Sequence, residues 1–534
     1  LSKHDIGISV LLVVGSLALY MRTLAPTLLL GDGAEFQTLA ATLGMAHPTG
    51  YPIYLLLGKL FTWLPIGSIA YRVNLLSACA AALAVALVYL LGRRLGSRRS
   101  AALIGPLSLG VCNLFWWHAV MAEVYTLGAL FLTGILLMLF TWRHTSNWRW
   151  LFMAGLLGGL SLGVHTTLML AAPAVLIYLL LTARRWADWT GAIMGALAGT
   201  ALALLAFVIL DARDAPASFY NSTARPWLSR WDLFPSGFAT PLQRIAFLIS
   251  AREFQWATRL VSLNEMQRHL AQYWAFLQGG WPLLTIGLMA FGLVTTLSRR
   301  SERIRAAWPE ALVLLLAWLC MLIFVLNYTV YDIYVFYIPT YLPLALLASL
   351  GASALLDQVA ALLERAATPP IVARGSAVIG IILLLAALWP GFSVVRDSAL
   401  AGRITFLDRT EFARYPYPVE APEVPHQRAV QLVGQIEDNA IIFTDWGTVF
   451  TIYYVAQVEQ GRTSIAAHEW FAQNDDLATN RSVFRYIDAN LNQRPIYFTF
   501  IPDRLRPLYT FASVGQHVQL FRITGRYGAR SSSY

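Results

Sequence analysis

The residues able to do chemistry are few, and most stand in loops. Asp32 and Glu35 lie three apart in Gly31-Asp-Gly-Ala-Glu35, and His47 opens His47-Pro-Thr-Gly-Tyr51-Pro. Arg72 and Asn74 follow, then Glu123 in Met121-Ala-Glu-Val-Tyr125, then His165. Asp332 sits in the tyrosine-rich string Asn327-Tyr-Thr-Val-Tyr-Asp-Ile-Tyr334, and Arg213, Arg225 and Arg230 share an earlier loop. A carboxylate can take the proton of a hydroxyl as that hydroxyl attacks. An arginine offers a planar fork of donors that suits a phosphate. Together these types suit transfer of a group from a phosphate-bearing donor to a hydroxyl.

Each residue also has a plainer reading. Asp32 and Glu35 have capping-box spacing ahead of Phe36-x-x-Leu39-Ala40-x-x-Leu43. Asp32 would accept from a backbone N–H and Glu35 would reach back. His47, in a turn-rich string, would be hydrogen-bonded and no more. Glu123 would end a span, Asp332 would accept from nearby tyrosines, and the later arginines would be solvated. Gly155, Gly159 and Gly163 recur every four residues, the spacing of close helix packing.

The elements that must position these residues are membrane helices. Of 534 residues, 57% are hydrophobic and 13% charged, about half the charged share of a soluble protein. The apolar residues come in runs of roughly 17–23, enough for a helix to cross a bilayer. That pattern excludes a soluble enzyme, a disulfide scaffold and a disordered chain. Solid runs, where a barrel strand would alternate over ~10 residues, exclude a β-barrel. The +10 net charge does not imply a nucleic-acid partner: Lys stands only at 3 and 59, and the arginines cluster between apolar runs. Cys79, Cys112 and Cys320 lie within such runs and read as small buried hydrophobes. The first run has no small-residue cleavage site after it and reads as a retained helix.

Eleven spans are expected, near 6–24, 70–91, 100–117, 124–141, 149–165, 167–182, 190–210, 279–298, 308–327, 334–353 and 375–392. Arginines concentrate in every second connection: Arg93, Arg94, Arg98 and Arg99; Arg143 and Arg149; Arg184 and Arg185; Arg299, Arg300, Arg303 and Arg305; Arg365 and Arg374. The positive-inside rule puts this set, and the N-terminus, in the cytoplasm. The fold class expected is a polytopic α-helical membrane module over 1–392, with external loops 25–69 and 211–278, followed by an external soluble α/β domain over 393–534. In that tail, apolar runs at 440–443, 495–501 and 518–523 alternate with helical patterns near 426–437, 448–459 and 480–491. It has no glycine-rich phosphate loop. On this topology Asp32, Glu35, His47, Arg72, Asn74, Glu123, His165 and Asp332 share one depth, the outer rim. Ionised groups there are costly unless paired or hydrated.

The motifs also resemble a family. Gly31-Asp-Gly-Ala-Glu35, His47-Pro-Thr-Gly-Tyr-Pro-Ile-Tyr54 and Tyr71-Arg-Val-Asn-Leu-Leu-Ser77 are similar to the protein O-mannosyltransferase-like membrane proteins of the GT-C glycosyltransferase superfamily. Met121–Leu127, Gly159–His165 and the tail string Ala440–Trp446 with Tyr453 and Tyr454 resemble its later motifs. The matches are densest in 25–170.

The resemblance implies a GT-C-like fold and an inverting transferase. It would move mannose or a similar sugar from a polyprenyl-phosphate donor to an external hydroxyl on a protein or glycan. Membrane lipids would surround it, with the donor's polyprenyl chain among the helices, and the preference for Arg over Lys suggests a GC-rich bacterial genome and so a bacterial plasma membrane. Asp32 would be the base, with Glu35 and Glu123 as further catalytic carboxylates. His47, Tyr51, Arg72, Asn74, His165, Arg213, Arg225, Arg230 and Asp332 would contact substrate, with an arginine on the donor phosphate. No metal site is demanded, though two or three carboxylates could hold Mg²⁺ or Mn²⁺ through oxygen. The alternatives are a transporter or lipid flippase, and a non-catalytic subunit of a membrane complex. A transporter tends to carry ionisable residues at mid-membrane, and none of the eleven spans has Asp, Glu, Lys or Arg in its middle.

Overall fold

The computed structural model describes all residues except 1, 232–237, 299–304, 366–367, 401–422, 472–476, 516–517 and 528–534. The Arg299, Arg300 and Arg303 of the topology reading lie outside the described residues. The chain divides into two compact units.

The first unit holds Leu1–Leu24, Ser77–Ala203 and the described residues from Trp256 to Leu400, and is helical. Seven helices are long and apolar enough to cross a bilayer: Lys3–Arg22, Ile69–Arg94, Tyr125–Thr145, Trp186–Ala212, Trp308–Leu326, Ile333–Leu363 and Pro369–Ser393. Two further pairs, Arg99–Gly110 with Asn113–Ala119 and Leu263–Gly280 with Leu283–Ser298, are bent by 66° and 118°. Counting each pair as one span gives nine among the described residues, against eleven expected. The difference lies at 149–165 and 167–182. There the helix Trp148–Leu160 runs for only 13 residues and ends in a 3₁₀ turn at Ser161–Gly163. Ser161 Oγ turns back to Gly158 O at 2.6 Å, and His165 Nδ1 accepts from the Thr167 N–H, so side chains close the backbone that a longer helix would have paired.

Gly155 and Gly159 do what their spacing suggested. A Cβ on Gly155 would lie 2.3 Å from Ala192 O, and one on Gly159 would lie 2.3 Å from Thr200 N, so two backbones touch where any side chain would part them. Cys79, Cys112 and Cys320 are free, and Cys112 is buried.

The second unit holds Ala25–Leu76, Leu204–Gln255 and the described residues after 422. Its sheet has strands β1 (Ile441–Thr444), β2 (Ala466–Glu469), β3 (Ile496–Phe498), β4 (Tyr509–Ser513) and β5 (Phe521–Arg526), in the order β2-β1-β3-β5-β4. β1 runs parallel to β2 and β3, while β5 is antiparallel to β3 and β4. The helix Trp446–Tyr453 lies in the chain between β1 and β2, and Leu477–Asn490 between β2 and β3. Phe443, Trp470, Val483, Ile487, Ile496 and Phe498 form the core of this sheet, and Trp227 from the long loop is buried among them. Trp227 Nε1 donates to Glu469 O at 2.8 Å. Segments from the first loop join the same unit. Thr38 Oγ1 donates to Phe450 O at 3.0 Å, and the Ala70 N–H donates to Tyr454 Oη at 3.0 Å.

Candidate active site

The site is built on the helix Gly31–Thr42. Gly31 takes φ +57°, a left-handed conformation that suits glycine, and lets the helix start one residue early. Leu30 is therefore the N-cap, and no side chain caps the end. This corrects the capping-box reading: Asp32 lies inside the first turn and Glu35 does not reach back. Asp32 is half-buried near the positive end of the helix dipole, and its Oδ1 accepts from Trp446 Nε1 at 2.7 Å.

The next turn brings His47 back onto Glu35. Leu43 is left-handed, the Gly50 N–H donates to His47 O at 2.6 Å, and Gly50 and Tyr51 are both left-handed before the helix Pro52–Phe61. Glu35 is fully buried, and both of its oxygens are taken. Oε1 accepts from the His47 N–H at 2.8 Å, and Oε2 pairs with His47 Nδ1. His47 Nε2 meets the Tyr51 hydroxyl at 3.3 Å, and that hydroxyl donates to Pro48 O at 3.2 Å. With the Tyr51 hydroxyl donating to Pro48 O, its oxygen is placed to accept from Nε2. In that arrangement both ring nitrogens donate, as in an imidazolium, which agrees with the raised His47 pKa. Burial alone would lower the His47 pKa, but Glu35 and then Asp32 raise it, to about 10. Burial raises the Glu35 carboxyl, and His47 pulls it part of the way back. Phe36, Tyr51, Phe254 and Trp446 wall the ring in.

Two further carboxyl groups were not singled out from the sequence. Glu253 precedes Phe254, and its Oε2 is buried with no hydrogen-bond partner. Burial pushes Glu253 up to about 7; His47 and Arg230 draw it down, while Glu35 and Asp32 push it up. Glu469, at the end of β2, is raised well above the usual carboxylate range by burial and then by Glu253. Arg230 carries its guanidinium 4.1 Å over the Phe471 ring and makes no ion pair among the described residues. A signal was present: Glu253 and Glu469 each adjoin an aromatic residue, in Glu-Phe and Glu-Trp pairs. His468 is the opposite of His47. Burial lowers it to about 4, its Nδ1 donates to Ser222 O, and its Nε2 accepts from Tyr486, which describes a neutral structural ring.

The other expected residues divide. Arg72 donates Nε to Ile66 O, Nη1 to Thr62 O and Nη2 to Gly67 O, at 2.6, 2.7 and 3.0 Å, so it clamps the turn after Pro52–Phe61. Asn74 donates to Ala25 O and accepts from Gln37, both as buried ties. Arg213 and Arg225 are exposed. Burial lowers the Lys59 amine, and Arg213 lowers it further. Glu123, His165 and Asp332 belong to the helical unit. The Glu123 backbone exchanges hydrogen bonds with Ser77 Oγ, His165 lies between the rings of Tyr125 and Phe336, and Asp332 leads into the turn Ile333–Tyr337. Among the described residues no three His, Cys, Asp or Glu are grouped to hold a metal ion. Each Glu35 oxygen already takes one hydrogen bond from His47.

Fold and sequence point the same way. The structure of ArnT from Cupriavidus metallidurans bound to undecaprenyl phosphate aligns over 99% of this chain and 99% of its own, with TM-score 0.56 and 14% identity. The chain is a multi-pass membrane protein with the GT-C fold. Residues 32–190 match the family described as the protein O-mannosyl-transferase TMEM260 N-terminal domain. The protein O-mannosyl-transferase TMEM260 of Mus musculus is 38% identical over 123 residues, and that of Dictyostelium discoideum 27% over 145. These stretches cover 23% and 27% of this chain but only 17% and 18% of those relatives' own length. The likeness to these O-mannosyl-transferases is thus carried by the first loop and the spans that follow.

Proposed function

We propose that the protein is an inverting glycosyltransferase that moves mannose or a similar sugar from a polyprenyl-phosphate donor to a hydroxyl, with protein serine or threonine as the favoured acceptor. The observation that carries this reading is Asp32. It is a half-buried carboxylate of the cluster, held by the Trp446 indole at one oxygen, at the start of a helix braced by the buried Glu35–His47 pair. Such a carboxylate can accept the hydroxyl proton as the C–O bond forms, an effect of about 10²–10⁴-fold. Glu35, saturated by His47, positions the helix. The donor phosphate is assigned to Arg230, whose guanidinium is backed by Phe471, while Arg72 is committed to carbonyls. The ArnT structure that shares this fold is bound to undecaprenyl phosphate, which supports a lipid-linked donor.

The test uses purified full-length protein in lipid and polyprenyl-phosphate mannose labelled in the sugar. Loss of lipid-linked label that depends on an added serine- or threonine-containing acceptor is expected. Intact donor with every acceptor offered would reject the transferase reading. The topology proposed is a cytoplasmic N-terminus and Arg-rich connections, with the tail external. A cysteine replacing Asp503, whose side chain is 96% exposed, should react with an impermeant thiol reagent outside intact cells. A cysteine replacing Arg98 should not.

A further inference from the structure

Glu253 has no part in the transfer as proposed so far, yet it is the most unusual carboxyl in the unit. Its Oε2 is buried without a partner. Buried carboxyl oxygens are seldom left so, because the missing hydrogen bond costs free energy. Phe254, the next residue, faces the His47 ring at 6.3 Å, which ties this turn to the Glu35–His47 pair. The groups that face Glu253 come from four elements. Asp32 and Glu35 lie on Gly31–Thr42, His47 on the following turn, Arg230 on Leu228–Trp231 and Glu469 on β2. Its neighbour Arg252 is exposed. Three acids against two cations favour the protonated form, and burial adds to this.

We infer that Glu253 is the acid of the site: its carboxyl, whose Oε2 is buried and unpartnered, hydrogen-bonds to the leaving phosphate beside Arg230 and gives it a proton. This rests on the transferase reading above and deepens it. In the balanced step, the acceptor oxygen forms its bond to the sugar C1 and releases its proton to Asp32. The C1–O bond to phosphate breaks, the electron pair goes to the phosphate oxygen, and that oxygen receives the Glu253 proton. One carboxyl gains a proton and the other loses one, so the cycle closes by proton return through solvent. A phosphate monoester with its second pKa near about 6 and a carboxyl that titrates near neutrality are well matched for proton sharing. Both carboxyl groups are half-buried, but Asp32 accepts from the Trp446 indole while the Glu253 Oε2 is buried without a partner, and this difference in environment divides the base and acid roles.

The probe is polyprenyl monophosphate, the product lipid, with binding followed across pH 5.5–8.5 alongside turnover of polyprenyl-phosphate mannose. Wild type should lose affinity and turnover as pH rises through about 7, approaching tenfold per pH unit in turnover beyond it. Glu253→Gln keeps a donor but cannot titrate, so its affinity should lack that limb, and its turnover should be about tenfold lower and flatter. The titration of the lipid phosphate is common to both proteins and cancels in the comparison. Arg230→Gln removes a cation that holds Glu253 down, so its limb should move to higher pH, which serves as the second reading should Glu253→Gln not fold. A limb unchanged in both variants overturns the inference while leaving the transferase reading intact. Failure of wild type to bind the lipid phosphate or turn over the donor at any pH overturns both, which separates the two failures.

Discussion

The acids of the two units live under opposite rules. In the helical unit Asp5 is buried, yet Arg93 and Arg99 reach it at 3.0 and 3.2 Å, and Tyr89 and the Ser2 N–H complete its shell. Asp188 is likewise held by Arg185 at 2.7 Å and Trp142 at 3.0 Å. These pairs sit at the Arg-rich connections and turn a charge pattern into tertiary ties. In the second unit Asp32, Glu35, Glu253 and Glu469 crowd together with one imidazolium and one guanidinium. There the acids outnumber the cations, and burial pushes Glu253 and Glu469 toward the neutral form. A buried acid with its own arginine is fixed in one protonation state. A buried acid without one can change state, and a group that changes state near neutrality can do acid–base work.

The largest effect that could break this contrast is on turnover. Asp32→Asn keeps an oxygen for the Trp446 indole and removes the charge, so folding should survive and turnover should fall by at least two decades. Near-normal turnover would take the base role from Asp32 and hand it to another carboxyl of the cluster.

Next in size is the Glu35–His47 pair, where the expectation is structural. Glu35→Gln leaves a buried imidazolium without its counter-charge, at a cost of roughly 3–5 kcal/mol. Pairing it with His47→Asn removes the stranded charge, so the double variant should unfold at a higher temperature than Glu35→Gln alone. The pair has its own pH signature. Because the folded His47 pKa is raised to about 10, its contribution is complete below 6.5 and is lost as pH rises from there through about 10. A double variant no more stable than the single would show that His47 is not charged.

Asp5→Asn tests the other half of the contrast. It leaves Arg93 and Arg99, both partly exposed, to find water, so the loss should be about 1–3 kcal/mol. Turnover at a temperature where the protein stays folded should match wild type. A pH-dependent change in turnover would mean that the Arg-rich end is coupled to the chemistry.

The sequence made some of this legible and hid the rest for identifiable reasons. Arg clusters between apolar runs marked the helix ends, because few other features place arginine there. Asp32, Glu35 and His47 were visible because one short segment carries them all. The apolar runs at 440–443, 495–501 and 518–523 correspond to β1, β3 and β5. β2 and β4 escaped notice: Ala466–Glu469 is four residues with a His and a Glu, and Tyr509–Ser513 pairs only with β5, so neither shows a solid apolar run. The capping-box reading failed because a left-handed Gly31 moves the helix start, a choice made by backbone dihedrals and not by spacing. Glu253 and Glu469 join Glu35 from more than 200 residues away, and no local pattern reports that. Arg72 illustrates the reverse error. Its motif position suggested a phosphate, but three nearby carbonyls already use its donors.

The smallest expected effect separates the two kinds of acid most cleanly, because it has the opposite sign. Burial raises Glu253 from the ordinary 4.5 to about 7. The folded protein therefore holds this proton more tightly than the unfolded chain, and stability falls as pH rises across that window. Below it the carboxyl is neutral in both states and costs little. Above it the folded protein carries a carboxylate with one buried, unpartnered oxygen. Glu253→Gln keeps the shape without the charge, so it should stabilise the protein at pH 8 by about 1 kcal/mol and should give a much smaller gain at pH 5, near the foot of that window. Asp5→Asn, with an arginine-paired acid, should destabilise at pH 8. Thermal unfolding of the two variants in the same lipid environment at the two pH values provides the comparison. A Glu253→Gln protein less stable than wild type at pH 8 would place Glu253 with Asp5, as an acid whose charge the fold needs.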